Sequence, residues 1–328
     1  MADETITPEE QLRSAARDLA RIRKRPCLIF SSSTIDGHDV LTLTELCRHR
    51  SGDVDVVIHG PGGYPHAAYL AARTLRRHFE HVAAFVPIEA KSAATLLSLV
   101  ADELVLGELG ELGPLDVQFS EKQRNDVPVN RSCLERFQAL DQLYEYAQHT
   151  FDGMVKDAIE ENGMRADEAC RVATDFASKI CGPMYAQVDP EQLAESARHL
   201  KVGLLYADRI LRRYRPQLYA EAGPAIIERL VKAYPSHDFV IDKEELLEIG
   251  LPVRDPSAEE SPIIERFARE LARFGDERTL IELVDCDESA PAPAPPDGKS
   301  GSQRLEGTAS GAARDDGQTE EGIDVDCD

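Results

Sequence analysis

The chain is 328 residues long, 42% hydrophobic and 30% charged, with a formal net charge of −23. That length supports one large domain or two smaller ones around a sizeable core. The charge argues against nonspecific binding to nucleic acid or to an anionic membrane, and no apolar run approaches the roughly 18 residues that would span a bilayer.

The opening segment MADETITPEEQLRSAARDLARIRKR is charged and amphipathic. It lacks the apolar stretch of a signal peptide, which predicts a cytoplasmic protein. A helix is expected from about Glu9 to Arg25, ended by Pro26, with the apolar strand CLIFSSS (Cys27–Ser33) after it. Asp39 to His49 reads as helix. Val54 to His59 is a nearly continuous apolar run, the type buried on both faces of a parallel sheet. From Pro65 to Phe79, Ala68, Leu70, Ala71, Leu75 and Phe79 recur at helical spacing, with Arg73, Arg76 and Arg77 opposite. His81 to Pro87 is a third strand, Ala93 to Ala101 a short buried helix and Glu103 to Leu106 a fourth strand. Such alternation is the mark of a parallel sheet flanked by helices.

Beyond Gln118 the pattern turns helical. Helices are expected over Arg131–Asn162 and Asp167–Ser178, with a break at Cys181-Gly182-Pro183. Asp189-Pro190-Glu191 reads as an N-cap followed by proline in the first turn, opening a helix to about Arg215. Gly223-Pro224 is read as the start of another, to Tyr234. The segment YPSHDFVIDKEELLEIGLPV returns to strand and helix character, and Pro262 to Arg273 is a last amphipathic helix. Residues 287–328 hold eleven Asp/Glu against three Lys/Arg and almost no large apolar residues. A segment of that kind cannot offset its ordering entropy by burial, so a disordered acidic tail is expected, a solvating one before a docking one. No internal repeat is evident.

The seven cysteines are odd in number, scattered and without a CxxC pair, which suggests buried thiols in a reducing compartment rather than zinc or disulfides. His38, His49, His59, His66, His78 and His81 show no metal-ligand spacing, so neither metal nor cofactor is expected. The basic run RIRKR (Arg21–Arg25) reads as a solvated helix end. The cluster Arg209, Arg212, Arg213 and Arg215 reads as an oligomer contact or a helix C-terminus satisfying its dipole.

The chemistry concentrates between Asp55 and Gln118. One strand ends in Gly60-Pro61-Gly62-Gly63, and the next ends in a turn carrying Ser92, Ala93 and Ala94. A serine at a strand-to-helix junction can serve as a nucleophile, and a glycine-rich turn with unpaired N–H groups can hold an oxyanion.

The stretches HGPGGYPHAAYLAA, VPIEAKSAATLLSLVADELVLG, LGPLDVQ and YPSHDFVIDKEELLEIGLPV resemble, in order, motifs of the serine dehydrogenase proteinase family. That family belongs to the Clp protease/crotonase-like superfamily and is related to signal peptide peptidase A. The resemblance runs from about Cys27 to Arg254. It implies an α/β fold with a Clp protease/crotonase-like core of repeated β-α units. This gives an N-terminal helix (1–25), a core domain (26–255) with a helical insertion at about 131–215, a C-terminal helix (256–286) and the tail (287–328).

Carried over residue by residue, the resemblance puts Ser92 at the nucleophile position and Gly62 and Gly63 at the oxyanion hole, with Ala93 N–H as their partner. Two departures matter. Ala94 stands where the family has glycine, and no histidine lies at Leu115-Asp116-Val117, where a Clp protease places its base. Lys91 adjoins Ser92, but neighbours on such a turn point apart. The base is therefore open among His237, Lys156, His149, His199 and Lys201, with His237 first because it lies in the matched SHDFVI segment. A Ser–Lys dyad would need a desolvated lysine, and Lys156 is nearest the expected distance. Asp116 either orients a base or caps its own turn.

Two functions follow as expectations. One is a serine hydrolase, a peptidase acting on peptide or protein. The other is a non-catalytic scaffold of the same fold that kept the turns and lost the base. A crotonase-type acyl-CoA enzyme ranks last, for want of a nucleotide signature. A homo-oligomer is expected from the superfamily. The apolar stripe of Leu134, Phe137, Leu140, Leu143, Tyr144 and Phe151 supports it, unless the chain's own second helical layer covers that stripe.

Overall fold

The computed structural model describes residues 6–115 and 133–286 in full, and residues 118–122 and 128–132 as backbone. Helix α1 (Pro8–Arg23) begins at Thr7, whose hydroxyl accepts from Glu10 N–H while the Glu10 carboxylate accepts from Thr7 N–H at 3.0 Å. This reciprocal pairing satisfies two donors the helix leaves over. Strand and helix then alternate as β1 (Cys27–Ser31), α2 (Gly37–Cys47), β2 (Asp53–His59), α3 (Pro65–His78) and β3 (His81–Val86). A two-residue strand β4 (Glu89–Ala90) precedes α4 (Ala93–Ser98), β5 (Glu103–Leu106) and a second two-residue strand, β6 (Glu111–Leu112).

Two further strands, β7 (Gln118–Lys122) and β8 (Pro128–Ser132), form an antiparallel ribbon ahead of the helical region. That region holds α5 (Cys133–Glu160), α6 (Ala166–Tyr185), α7 (Pro190–Tyr214) and α8 (Pro216–Lys232). The chain closes with α9 (Lys243–Glu248), β9 (Val253–Arg254), α10 (Ser261–Phe274) and β10 (Leu280–Val284). The result is a mixed α/β fold. Its main sheet runs β10-β1-β2-β3-β5-β9, parallel throughout except for the edge strand β10, which pairs antiparallel with β1.

Successive strand residues face opposite sides, so the apolar runs feed two separate cores. Leu28, Phe30, Val56, Ile58, Ala84 and Val86 pack with α2, α3 and α4. Ile29, Val57, Phe85 and Val105 pack with Leu12, Leu19, Phe267 and Leu271 from α1 and α10. Burial on both faces explains why these strands are apolar rather than alternating. Phe85 is wholly buried between β2, β5 and α10, and truncating a core aromatic costs about 3–5 kcal/mol.

An expected helix break and an expected helix start do not occur. Pro183 lies inside the last turn of α6, which continues to Tyr185. Gly223 and Pro224 lie inside α8, which starts instead at Pro216. A β-carbon on Gly223 would come 2.6 Å from the Tyr219 ring, so that glycine makes room for the tyrosine. Burial of Ile226, Leu230 and Val231 outweighs the local cost of the proline. By contrast, Asp189 caps α7 as expected, its carboxylate accepting from Glu191 and Gln192 N–H. The helices α6 and α7 pack on α5 and cover much of its apolar stripe, although Tyr144 remains exposed. Asp116 and the acidic tail lie outside the described residues.

At the amino ends of the parallel strands sits an ionic cluster. Asp55, fully buried, lies 3.0 Å from Arg23 and 2.7 Å from Arg25. Burial pushes its carboxyl up to about 7 despite Arg23. Arg23 also reaches Glu103 and Glu260, each at 2.8 Å, and Arg254 meets Glu260 at 2.7 Å. Removing one partner from such a buried set leaves an uncompensated charge, so its members are mutually dependent.

Candidate active site

Both turns singled out in the sequence leave the carboxyl ends of parallel strands, where α/β folds place their ligands. They are joined by backbone hydrogen bonds. Gly60 N–H donates to the Glu89 carbonyl at 3.2 Å, and Lys91 N–H donates to the Gly60 carbonyl at 3.0 Å. Ser92 caps α4 with φ 50° and ψ −111°, a backbone region that costs a non-glycine residue about 1–3 kcal/mol. It is 8% exposed and lies in a narrow cleft with Pro65, Ala93, Leu96, Leu115 and Gly203.

Gly62, with φ 121°, is packed on this serine: a β-carbon there would stand 2.8 Å from Ser92 Cβ and 3.2 Å from Ala93 N. The Gly62 carbonyl accepts from Ile35 N–H at 2.8 Å. Across a trans peptide, C=O and N–H point oppositely, so the Gly63 N–H is turned away from Ile35. The same reasoning applies to Ala93. The Ser92 carbonyl accepts from Leu96 N–H at 3.0 Å, which turns the Ala93 N–H out of the helix start. Among the described residues no acceptor meets either N–H.

Thr95, which the sequence reading did not single out, holds the turn from below. Its buried hydroxyl lies 2.6 Å from the Ala90 carbonyl and 2.9 Å from the Gly113 carbonyl, and accepts from Gly113 N–H at 3.1 Å. One hydroxyl proton serves two carbonyls, so β4 and the LGPLD segment are tied through a single atom. Ala94 is accommodated where the family has glycine: its φ is not positive, its methyl is fully buried, and its N–H reaches the Lys91 carbonyl at 2.8 Å.

The candidate bases fall in different places. Lys91 is 7% exposed, and its ammonium pairs with Glu111 and reaches the Phe239 carbonyl at 3.4 Å. Its charge is thereby engaged away from the serine. His237 is half-buried in the turn before Ile241, and Ile241 pairs with Leu112 through two hydrogen bonds of 3.0 Å. This pairing brings the SHDFVI segment alongside β6 and the Lys91 side chain. Lys156 and His149 are exposed on α5. Exposed Lys201 and half-exposed His199 lie on α7, within a turn of the Gly203 that lines the cleft. A more spacious groove than the Ser92 cleft lies elsewhere, between Pro87, Ile88, Leu109 and the α10 residues Ile264 and Ala268, and holds none of these groups.

Residues 29–131, which carry both turns, match the family model of ClpP-like SDH-type serine proteinases. Over this segment the chain is similar to the ClpP-like SDH-type serine proteinases. Both turns, most of β1 and all of β2 to β6 fall within it, whereas Gly203 of the cleft lies outside. Two proteins of Methanocaldococcus jannaschii are also similar. The uncharacterized protein MJ0137 is 30% identical over 93 residues, 28% of this chain and 32% of that protein. The uncharacterized protein MJ1495 is 27% identical over 120 residues, 34% of this chain and 41% of that protein. The chain thus matches well under half the length of either relative. No solved structure matches the chain.

Proposed function

We propose that the protein is a serine hydrolase, a peptidase, in which Ser92 attacks a peptide or ester carbonyl. The backbone N–H groups of Gly62, Gly63 and Ala93 bind the oxyanion that forms. The observation that carries this reading is the Ser92 backbone at φ 50°, ψ −111°, packed against Gly62. Strain of that kind presents a nucleophile at the top of a sharp turn, and it persists only where surrounding structure enforces it. Each lost oxyanion donor typically costs about 10²–10³ in rate, so the two turned-out N–H groups would carry much of the catalysis.

In this reading His237 is the general base, supported by its place in the segment bound to β6. No metal or cofactor takes part in the reaction. The enzyme works as a cytoplasmic homo-oligomer, and among the described residues no helix is long and apolar enough to cross a membrane. An apolar stripe on α6, comprising Val172, Phe176, Ile180 and Met184 at intervals of four and each 37–40% exposed, supports assembly. Turnover of a p-nitrophenyl ester and of an unstructured protein substrate tests the proposal. Ser92→Ala should abolish both while keeping the fold. An equally active Ser92→Ala variant refutes the assignment, and a well-folded but inert wild type favours the non-catalytic scaffold.

A further inference from the structure

Outside the Ser92 cleft, three chemically suited side chains distant in sequence converge. His59 ends β2, Glu89 opens β4, and Asp276 lies in the loop between α10 and β10. Their ligand-type atoms all lie within 4.8 Å of one another. His59 is 3% exposed and held from one side, with Nδ1 3.0 Å from the Ser31 hydroxyl. Its other nitrogen, Nε2, faces Asp276 Oδ1 at 3.7 Å. That is too long for a hydrogen bond, but close to the spacing of two ligands each about 2.0–2.2 Å from one shared zinc ion. When Nδ1 donates to Ser31, the Nε2 lone pair is directed at the carboxylates, the arrangement that orients a metal-bound histidine.

The electrostatics point the same way. His59 is buried with one ring nitrogen anchored on Ser31, and an imidazole so held is a common metal ligand. Glu89 is surrounded by the negative charges of Asp276, Glu111 and Asp238, and the nearby cation Lys91 is paired to Glu111. The excess negative charge calls for a cation.

We propose that His59, Glu89 and Asp276 form a binding site for a divalent cation of the zinc class. One imidazole and two carboxylates suit zinc better than magnesium or calcium, which prefer all-oxygen shells. The ion clamps the glycine turn to the serine turn. His59 directly precedes Gly60, and the Glu89 carbonyl accepts from Gly60 N–H at 3.2 Å. It also anchors the loop leading to β10. This inference is independent of whether Ser92 is a nucleophile.

The test is calorimetric titration of the chelator-treated full-length chain with Zn²⁺ in excess Mg²⁺, with Co²⁺ as a spectroscopic probe. Expected are one saturable equivalent, a Co²⁺ visible spectrum of low coordination number, and a melting temperature raised by Zn²⁺. Asp276→Asn, at an exposed position that does not endanger folding, should weaken binding at least about tenfold, as should Glu89→Gln. The neighbouring Glu277→Gln should leave it unchanged. Absence of saturable binding overturns the proposal, as does affinity unchanged in both Asp276→Asn and Glu89→Gln.

Discussion

Gly62 is packed against the Ser92 side chain so closely that a β-carbon built on Gly62 would stand 2.8 Å from Ser92 Cβ. Ordinary carbon contacts are closer to about 3.5–4.0 Å. Glycine at this position is therefore what allows the two turns to approach, and the approach places the N–H groups of one turn beside the serine of the other.

It follows that Gly62→Ala should push the serine turn aside. The new methyl meets Ser92 Cβ, the Lys91 carbonyl and Ala93 N together, in a backbone with φ 121°. Ester turnover should fall by at least about 10². The melting temperature should also fall, because no flexible side chain is available to yield. Retention of full turnover would show that the two turns are not functionally coupled. Gly63 is the poorer probe: a β-carbon there would lie 2.4 Å from Ile35 N, so its substitution damages the fold before it reports on chemistry.

Thr95→Val should remove the hydroxyl shared by Ala90 and Gly113 while keeping the shape. Buried polar groups left unsatisfied cost about 1–3 kcal/mol, here in stability and in the alignment of the serine turn. Thr95→Ser should recover most of the loss. Equilibrium urea unfolding of the three proteins checks this, and equal stabilities would assign the hydroxyl no structural role.

If His237 is the base, His237→Gln should lower kcat by about 10²–10⁴ with little change in KM. The alkaline rise of the rate profile that reports the imidazole should disappear with it. An unchanged profile would move the base to another group.

Within the ionic cluster, Glu260 makes an acid-sensitive contribution to the fold. Burial alone would raise Glu260, but hydrogen bonds from Arg254 and Ser257 N–H outweigh it and bring the carboxyl down to about 2. A carboxyl depressed in the folded state contributes stability above its unfolded value, near 4.3, and loses it as pH falls toward 2. Glu260→Gln should therefore be less stable at neutral pH, with the difference shrinking across that window. Melting temperatures at a series of pH values measure it, and a constant difference would contradict the depressed value.

Much of the core was legible because its signals are strong and local. Val54–His59 and His81–Pro87 are apolar runs that only a doubly covered strand explains, and the GPGG and KSAAT turns punctuate them. Other features had no such signal. The strands QFSEK and PVNRS lack apolar alternation, and LIELV is a short run that periodicity cannot assign. Pro183 reads as a helix break and Gly223-Pro224 as a helix start, because local rules count the missing N–H and cannot see the packing of Ile226 and Leu230. The site divides along the same line. Ser92, Gly62 and Gly63 are adjacent to recognisable turns, whereas Thr95 acts through contacts made only in the fold. The cluster of His59, Glu89 and Asp276 was invisible to ligand spacing because its members come from three distant segments.

Whether this turn is an active site rests on the reactivity of one atom, Ser92 Oγ. Incubation of the folded full-length chain with a fluorophosphonate, followed by peptide mapping of the adduct, measures it. A strained, activated nucleophile should be labelled at Ser92 alone, with labelling lost in Ser92→Ala and sharply slowed in Gly62→Ala. A folded protein that takes up no label at Ser92, or that reacts equally after Ser92→Ala, would contradict the claim that this turn is an active site.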